Sequence, residues 1–365
     1  MPNDLLYKIG ITLIPKIGVV NGKQLIAFTG GAEAVFKENS KALGKIPNIG
    51  SVAIKSILSQ NVLIRAEKEI EFINKNGIQT LFYTEKDYPS RLSHCHDGPI
   101  MLYFKGNAKL NSQRVVSIVG TRRATNYGKD ICREITAHLK NYNILHLSGL
   151  AYGIDSCSHR EALDNGITSV GILGHGLDIL YPTQNRKIAE KMIENGGLLT
   201  EFISGTKPDR ENFPKRNRIV AGMSDAIVVV ESKRKGGALI TADLGNSYNR
   251  DVFAVPGRAG DEYSVGCNYL IRTNRAALIE NGSNLTYFMS WEESEKEINK
   301  QPKLFIELNN EEQMIYDSVL NNNEISIDKI SITTGIKPST VASTLLKLEF
   351  EGLVRVLPGK LYKKS

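Results

Sequence analysis

The sequence predicts an α/β fold: a doubly wound, mostly parallel sheet, with a small all-α domain before it and a winged-helix domain after it. Three observations lead there. Between residues 71 and 290, short apolar runs alternate with stretches of helical period, as in successive βαβ units. Ahead of that block, two Pro- and Gly-containing turns each precede a helical pattern. Behind it, three helical patterns lead into a two-stranded ribbon. The expected boundaries are 1–70 for the helical domain, 71–290 for the sheet domain, 291–304 for a linker and 305–365 for the winged helix.

In the first region Ile14-Pro15-Lys16-Ile17-Gly18 recurs as Ile46-Pro47-Asn48-Ile49-Gly50. The repeat resembles the helix-hairpin-helix element of SAM-like domains, whose turn offers backbone N–H groups to a DNA phosphate without reading its base. Plain turns between packed helices are the alternative, and both copies lack the second glycine usual in such hairpins. The two readings stay open.

In the central region the predicted strands are Val115–Val119, Ile144–Leu147, Ser169–Leu173, Leu198–Glu201, Ala226–Val230 and Val252–Val255. Several end in glycine and a polar loop: Gly120-Thr121-Arg122, Ser148-Gly149-Leu150 and Gly174-His175-Gly176. Ligands of open α/β sheets bind beyond the carboxyl ends of the strands, so these loops are expected to share one edge of the domain.

The densest motif is Asn212-Phe213-Pro214-Lys215-Arg216-Asn217-Arg218, at a helix start. Helix-start N–H groups favour an anion, arginines fork onto phosphate oxygens, and Phe213 offers a face to a base. Val119-Gly120-Thr121-Arg122-Arg123 supplies a second basic loop, in which Gly120 is expected to let the backbone approach a phosphate. A third loop, Ser148 to Asp155, is expected to use Asp155 as a helix cap, with His159 packed in the interior rather than paired with Glu161 in acid–base work. Changing Arg122 or Arg216 to Glu is expected to weaken binding of a polyanion.

Other chemistry is missing. There is no G-x-G-x-x-G with a downstream acid, no G-x-x-x-x-G-K-[ST] and no G-x-S-x-G, so a dinucleotide, an ATP phosphate tail and a nucleophile elbow are all without their fingerprints. His94-Cys95-His96 has no second ligand pair, so neither a metal nor another cofactor is expected. The four scattered cysteines fit reduced thiols of the cytoplasm. No apolar run reaches the roughly 18 residues of a membrane span, and no leader pattern opens the chain. A formal net charge of +7 leans mildly toward polyanionic partners.

From residue 305, helices are expected over Glu311–Leu320, over Ser326–Thr334 ending at Gly335, and from Pro338. Leu353–Val356 and Lys360–Tyr362 form the ribbon around Pro358-Gly359. The would-be recognition face carries Ser339, Thr340, Ser343, Thr344 and Lys347, too short and too weakly charged for sequence-specific reading.

These loops resemble the DNA-processing protein A family (DprA, also called Smf) of bacterial natural transformation. The shared residues keep the family's order over roughly residues 80–280. They include Val119-Gly120-Thr121-Arg122, Ser148-Gly149-Leu150-Ala151, Gly153-Ile154-Asp155, Gly176-Leu177-Asp178, Phe213-Pro214, Arg216-Asn217-Arg218, Leu239-Ile240-Thr241-Ala242 and Val255-Pro256-Gly257. The resemblance implies a Rossmann-like, non-enzymatic protein that binds and protects incoming single-stranded DNA, helps load the RecA recombinase, and forms a homodimer through the Rossmann-like domain. It also implies contacts from the Tyr181–Asn185 loop, where Thr183 and Gln184 stand in place of a lysine found in some relatives and where Arg186 and Lys187 would supply the charge. With Tyr152, free to stack, the expected nucleic-acid contacts are Gly120, Thr121, Arg122, Arg123, Ser148, Gly149, Tyr152, Asn185, Arg186, Lys187, Phe213, Lys215, Arg216, Asn217 and Arg218.

Two rivals come from other classes. A nucleotide phosphoribohydrolase would share the fold but needs a PGGxGT loop with a following glutamate, and Lys235-Gly236-Gly237-Ala238-Leu239-Ile240-Thr241 has no such acid nearby. A regulator of duplex DNA would need a more basic recognition helix.

Overall fold

The computed structural model describes residues 2–293, 308–322, 324–350, 353–357 and 361–364. It divides into two compact units, Met1–Ser294 and Glu295–Ser365. Most of the expected linker, from residue 294 onward, and the Pro358-Gly359 turn lie outside the described residues.

The first unit opens with helices α1 (Pro2–Thr12), α2 (Val19–Thr29), α3 (Ala32–Lys37), α4 (Ser40–Leu43), α5 (Ser51–Ser59) and α6 (Asn61–Asn76). The two repeated turns share a backbone: Lys16 and Asn48 both stand at φ 62°. Gly18 and Gly50 both cap the following helix from extended geometry. The helices bury Ile9, Leu25, Phe36 and Ile57 together with Ile100, Met101 and Tyr103 of the sheet domain. Residue 70 therefore falls inside α6, and the helical region shares a core with the sheet it precedes.

There follow β1 (Gln79–Phe82), α7 (Ser90–Ser93), β2 (Met101–Gly106), β3 (Arg114–Val119), α8 (Asn126–Leu139), β4 (Ile144–Ser148), α9 (Ile154–Asp164), β5 (Thr168–Ile172), α10 (Arg186–Glu194), β6 (Gly196–Thr200), α11 (Asn212–Met223), β7 (Ala226–Val229), α12 (Gly237–Ser247), β8 (Asp251–Ala254), α13 (Val265–Arg272), β9 (Ala277–Leu278) and α14 (Gly282–Phe288). The strands form one nine-stranded sheet in the order β1-β2-β6-β5-β4-β3-β7-β8-β9. β1–β2 and β2–β6 are antiparallel and the remaining pairs parallel. Every residue of β4 and β7 is buried, as expected where helices cover both faces. Each helix turns an apolar stripe inward; on α8 it is Cys132, Ile135, Thr136 and Leu139 at i, i+3, i+4 and i+7, with Thr125 capping the start. The order runs outward from β3 through β4, β5 and β6 on one side, and through β7, β8 and β9 on the other. β3 and β7 thus flank the topological switch point, where such sheets open a crevice.

His159 is buried, as expected, and shares its surroundings with His146. The Ser169 hydroxyl lies 2.8 Å from Nδ1 of His159 and 2.9 Å from Nδ1 of His146, so it donates to one ring and accepts from the other. Burial pushes His146 down to about 3 and His159 well below its usual range. Both are therefore neutral in the fold and protonatable in the unfolded chain. A base whose folded pKa is depressed contributes stability that is complete above about pH 6.5 and is lost as pH falls toward the folded value. Between pH 6.5 and 5 the parent is expected to lose up to about 1.4 kcal/mol per pH unit for each histidine. H146L should lose less over the same interval, which urea denaturation at both pH values would read.

The second unit contains α15 (Asn310–Leu320), β10 (Ile325–Ser326), α16 (Ile327–Thr334), α17 (Pro338–Phe350), β11 (Val354–Leu357) and β12 (Leu361–Lys364). Its sheet order is β10-β12-β11, antiparallel throughout. Asn309 and Glu312 form a capping box at the start of α15. Gly335, at φ 72°, ends α16. Ile315, Ile330, Val341, Leu345 and Leu348 fill the core of this winged helix. Lys347, on the expected recognition face, pairs with Glu312 at 2.6 Å.

Candidate nucleic-acid interface

The switch point is built by the chain's own hydrogen bonds. The Thr121 N–H donates to the Glu231 carbonyl (2.7 Å), tying the end of β3 to the end of β7. The Ile154 N–H donates to the Thr121 carbonyl (3.1 Å), bringing the start of α9 to the same place. Gly120 serves this packing: a Cβ there would stand 2.6 Å from Cγ1 of Ile154. Its lack of a side chain is thus needed for the fold, whereas the sequence reading assigned it to phosphate approach. Gly149, after β4, has a similar reason, because a Cβ would overlap the guanidinium of Arg216.

Beyond these strand ends lies a cleft of about 750 Å³. Of the expected contacts, Gly120, Thr121, Arg122, Gly149, Phe213, Arg216 and Asn217 line it. Arg122 is exposed and its guanidinium carbon sits 5.3 Å from the Phe213 ring centre, with Arg216 at 5.9 Å from the same ring. The two arginines predicted to face one groove therefore converge on a single aromatic ring. A smaller hollow adjoins the cleft through Arg122, Gly149, Ala151 and Phe213, and Tyr152, His175, Tyr181 and Pro182 are among its other lining residues. Tyr181 tilts against Phe213 at 6.2 Å, and the Tyr152 hydroxyl donates to Gln184 (2.6 Å).

Several expected contacts are buried or lie outside the cleft. Arg216 is only 4% exposed. It donates to the carbonyls of Gly149 and Ile172 through Nη1 and to the Asn217 side chain through Nε. Burial lowers it to about 10, with the neighbouring Asp155 opposing that shift, so it remains charged at neutral pH. Arg218 is committed to Glu201 and to the Asp97 carbonyl. Ser148 is fully buried and donates to the Ile118 carbonyl (2.7 Å). Asn185 is buried and donates to the Leu150 carbonyl (2.9 Å), so it holds the loop rather than facing a ligand. Arg123, Arg186, Lys187 and Lys215 are exposed but outside the residues that line the cleft and the hollow. Asp155 lies within α9 and caps nothing; burial raises it, with Arg216 pulling the other way.

The cleft lining also contains residues the sequence reading did not select. Arg210, Lys233 and Lys235 line the cleft, followed by Gly236 and Gly237 at the uncapped start of α12. The signal was present: an apolar strand ending at Val230 runs into three consecutive cations and a Gly-Gly helix start. Among the described lining residues the basic side chains are Arg122, Arg210, Arg216, Lys233 and Lys235, and Asp155 is the only acid. A cleft with this imbalance, an aromatic ring in its lining and a bare helix start suits a flexible polyanion with planar groups.

The chain is also similar to known proteins. The model of the family described as DNA recombination-mediator protein A matches residues 79–290, and that of the DprA winged-helix domain matches residues 301–360. Protein Smf of Synechocystis is 34% identical over 281 residues, 76% of this chain and 71% of the relative. A putative DNA processing protein DprA of Mycobacterium tuberculosis is 30% identical over 310 residues, 81% of this chain and 79% of the relative. Among solved structures, DNA processing protein A of Streptococcus pneumoniae aligns with a TM-score of 0.68 at 28% identity, covering 79% of this chain and 99% of that one. DNA processing protein A of Helicobacter pylori, described by its single-stranded DNA binding mode, aligns with a TM-score of 0.54 at 28% identity, over 59% of this chain and 97% of that one. By its central domain and its winged helix alike, the chain belongs to the DNA recombination-mediator protein A family.

Proposed function

We propose that this protein binds single-stranded DNA in the switch-point cleft, shields it, and helps load the RecA recombinase onto it during transformation, acting as a cytoplasmic homodimer. The observation that supports the binding reading is the exposed Arg122 stacked on Phe213, in a cleft also lined by Arg210, Lys233 and Lys235. Phosphates meet the cations, and the Phe213 face takes a base without reading its identity. No helix among the described residues is long and apolar enough to cross a membrane.

Fluorescence anisotropy with labelled oligothymidylate, single-stranded and duplex DNA tests this reading. The full chain is expected to favour the single strand, and a chain ending at residue 293 should retain most of that affinity because the cleft lies wholly in the first unit. Preference for the duplex, lost on truncation, would instead support the winged-helix regulator. The purified protein is also expected to release no free base from AMP. The single lining acid, Asp155, is buried beside Arg216, and a hydrolase needs a carboxylate that reaches its substrate.

A further inference from the structure

The rim of the cleft between β7 and α12 alternates in direction. Lys233 and Lys235 line the cleft, while Arg234, exposed between them, is not among its lining residues. Arg234 instead places its guanidinium carbon 4.8 Å from the ring centre of Tyr269 on α13, and Arg275 approaches the same ring at 5.8 Å. The half-buried tyrosine thus has two exposed guanidinium groups against its ring, one of them next in sequence to the cleft lining. Two like charges repel, so such an arrangement stands by virtue of the ring between them and gains from an anion. Arg275 also has an exposed ion pair with Asp243 (3.1 Å), a contact worth little in water and readily exchanged for phosphate. Lys233, next along the rim, is paired to Glu262, whereas Arg234 and Lys235 have no carboxylate partner among the described residues.

Resting on the binding reading above, we propose that Arg234, Tyr269 and Arg275 form a second contact for the same single strand. They take a phosphate of a nucleotide that has left the cleft over the Lys233–Lys235 rim. The guanidinium planes, preset by the ring, donate to the phosphate and offer a flat surface to its base. The footprint then has two parts: the cleft holds a few nucleotides, and the cluster adds affinity only for a strand long enough to cross the rim.

The test compares oligothymidylates of about 4 and about 20 nucleotides, lengths near or beyond the smallest site sizes of single-strand binders. R234S/R275S is expected to weaken the long oligonucleotide about tenfold, to leave the short one within about twofold, and to flatten the salt slope for the long one by about 0.7, one lost phosphate contact. K68S/K75S, which removes the same charge from exposed positions of α6, should change neither length. Y269L is expected to follow the double variant, and Y269F, which keeps the ring, to follow the parent; circular dichroism and thermal midpoints check that each is folded. Equal weakening of both lengths, no weakening of either, or the same loss in K68S/K75S overturns the proposal while leaving the cleft reading in place. Failure of the parent to bind either length overturns both.

Discussion

Arg122→Glu is expected to lower the affinity for oligothymidylate by about a hundredfold or more at low salt, with the thermal midpoint nearly unchanged. Arg122 is exposed and has no carboxylate partner among the described residues, so its charge is available to a ligand. Its guanidinium stands over the Phe213 ring, which lines the same cleft. The substitution removes one phosphate contact and places a negative charge in the cleft beside the four remaining basic side chains, so attraction becomes repulsion at the place proposed for the strand. Losing one single-strand contact should also flatten the salt slope by about 0.7. Stability should move by no more than about 0.5 kcal/mol, since the side chain supports nothing in the core. Anisotropy across a salt titration reads both quantities, and parent-like binding at every salt concentration would mean that the cleft is not the site.

Much of the fold was legible because the apolar runs are long and their order simple. All six strands expected from Val115 to Val255 are present, with ends displaced by at most two residues. β1, β2 and β9 were not foreseen. β9 has two residues and β1 four, half of them buried, which leaves little pattern to see. Met101–Phe104 is a continuous apolar run, but it becomes a strand by pairing antiparallel with β6 and by packing under α1–α6, relations that no local window contains. The same cause placed the helical boundary near residue 70. The sequence turns from helical to strand-like only after α6, and the core shared across that junction leaves no mark in composition.

The site was legible in its position and less so in its charges. Arg122 and Phe213 could be selected because strand ends and helix starts must meet at a switch point. Reading Lys215, Arg216 and Arg218 as one basic cluster ignored the helical period. Arg216 shares a stripe with Ile219, Val220 and Met223, at i, i+3, i+4 and i+7, and that stripe is the buried face of α11. The periodicity that located the helix also determined which of its arginines would be taken from solvent. Arg218, near the edge of the stripe, met Glu201 on the neighbouring strand end, a pairing set by sheet order rather than by spacing.

Arg216 therefore calls for a different expectation from Arg122. Its guanidinium is buried, donates to the Gly149 and Ile172 carbonyls, and is the main counter-charge of the buried Asp155. R216M keeps much of the volume but leaves two carbonyls without donors and Asp155 without a cation. Removing one partner of such a buried group costs about 3–5 kcal/mol, because the other is left charged or unsatisfied in a low dielectric. R216M is expected to lose stability of that order in chemical denaturation, and R216E to lose more, since it sets a second carboxylate against Asp155. D155N/R216M should recover part of the loss, because the amide no longer needs a counter-charge. Weak DNA binding by R216E would then report a collapsed Gly149 loop, whereas weak binding by R122E reports a missing phosphate contact, and the denaturation midpoint separates the two. An R216M protein as stable as the parent would mean that the guanidinium is not the strut between α11 and the ends of β4 and β5 that its hydrogen bonds describe.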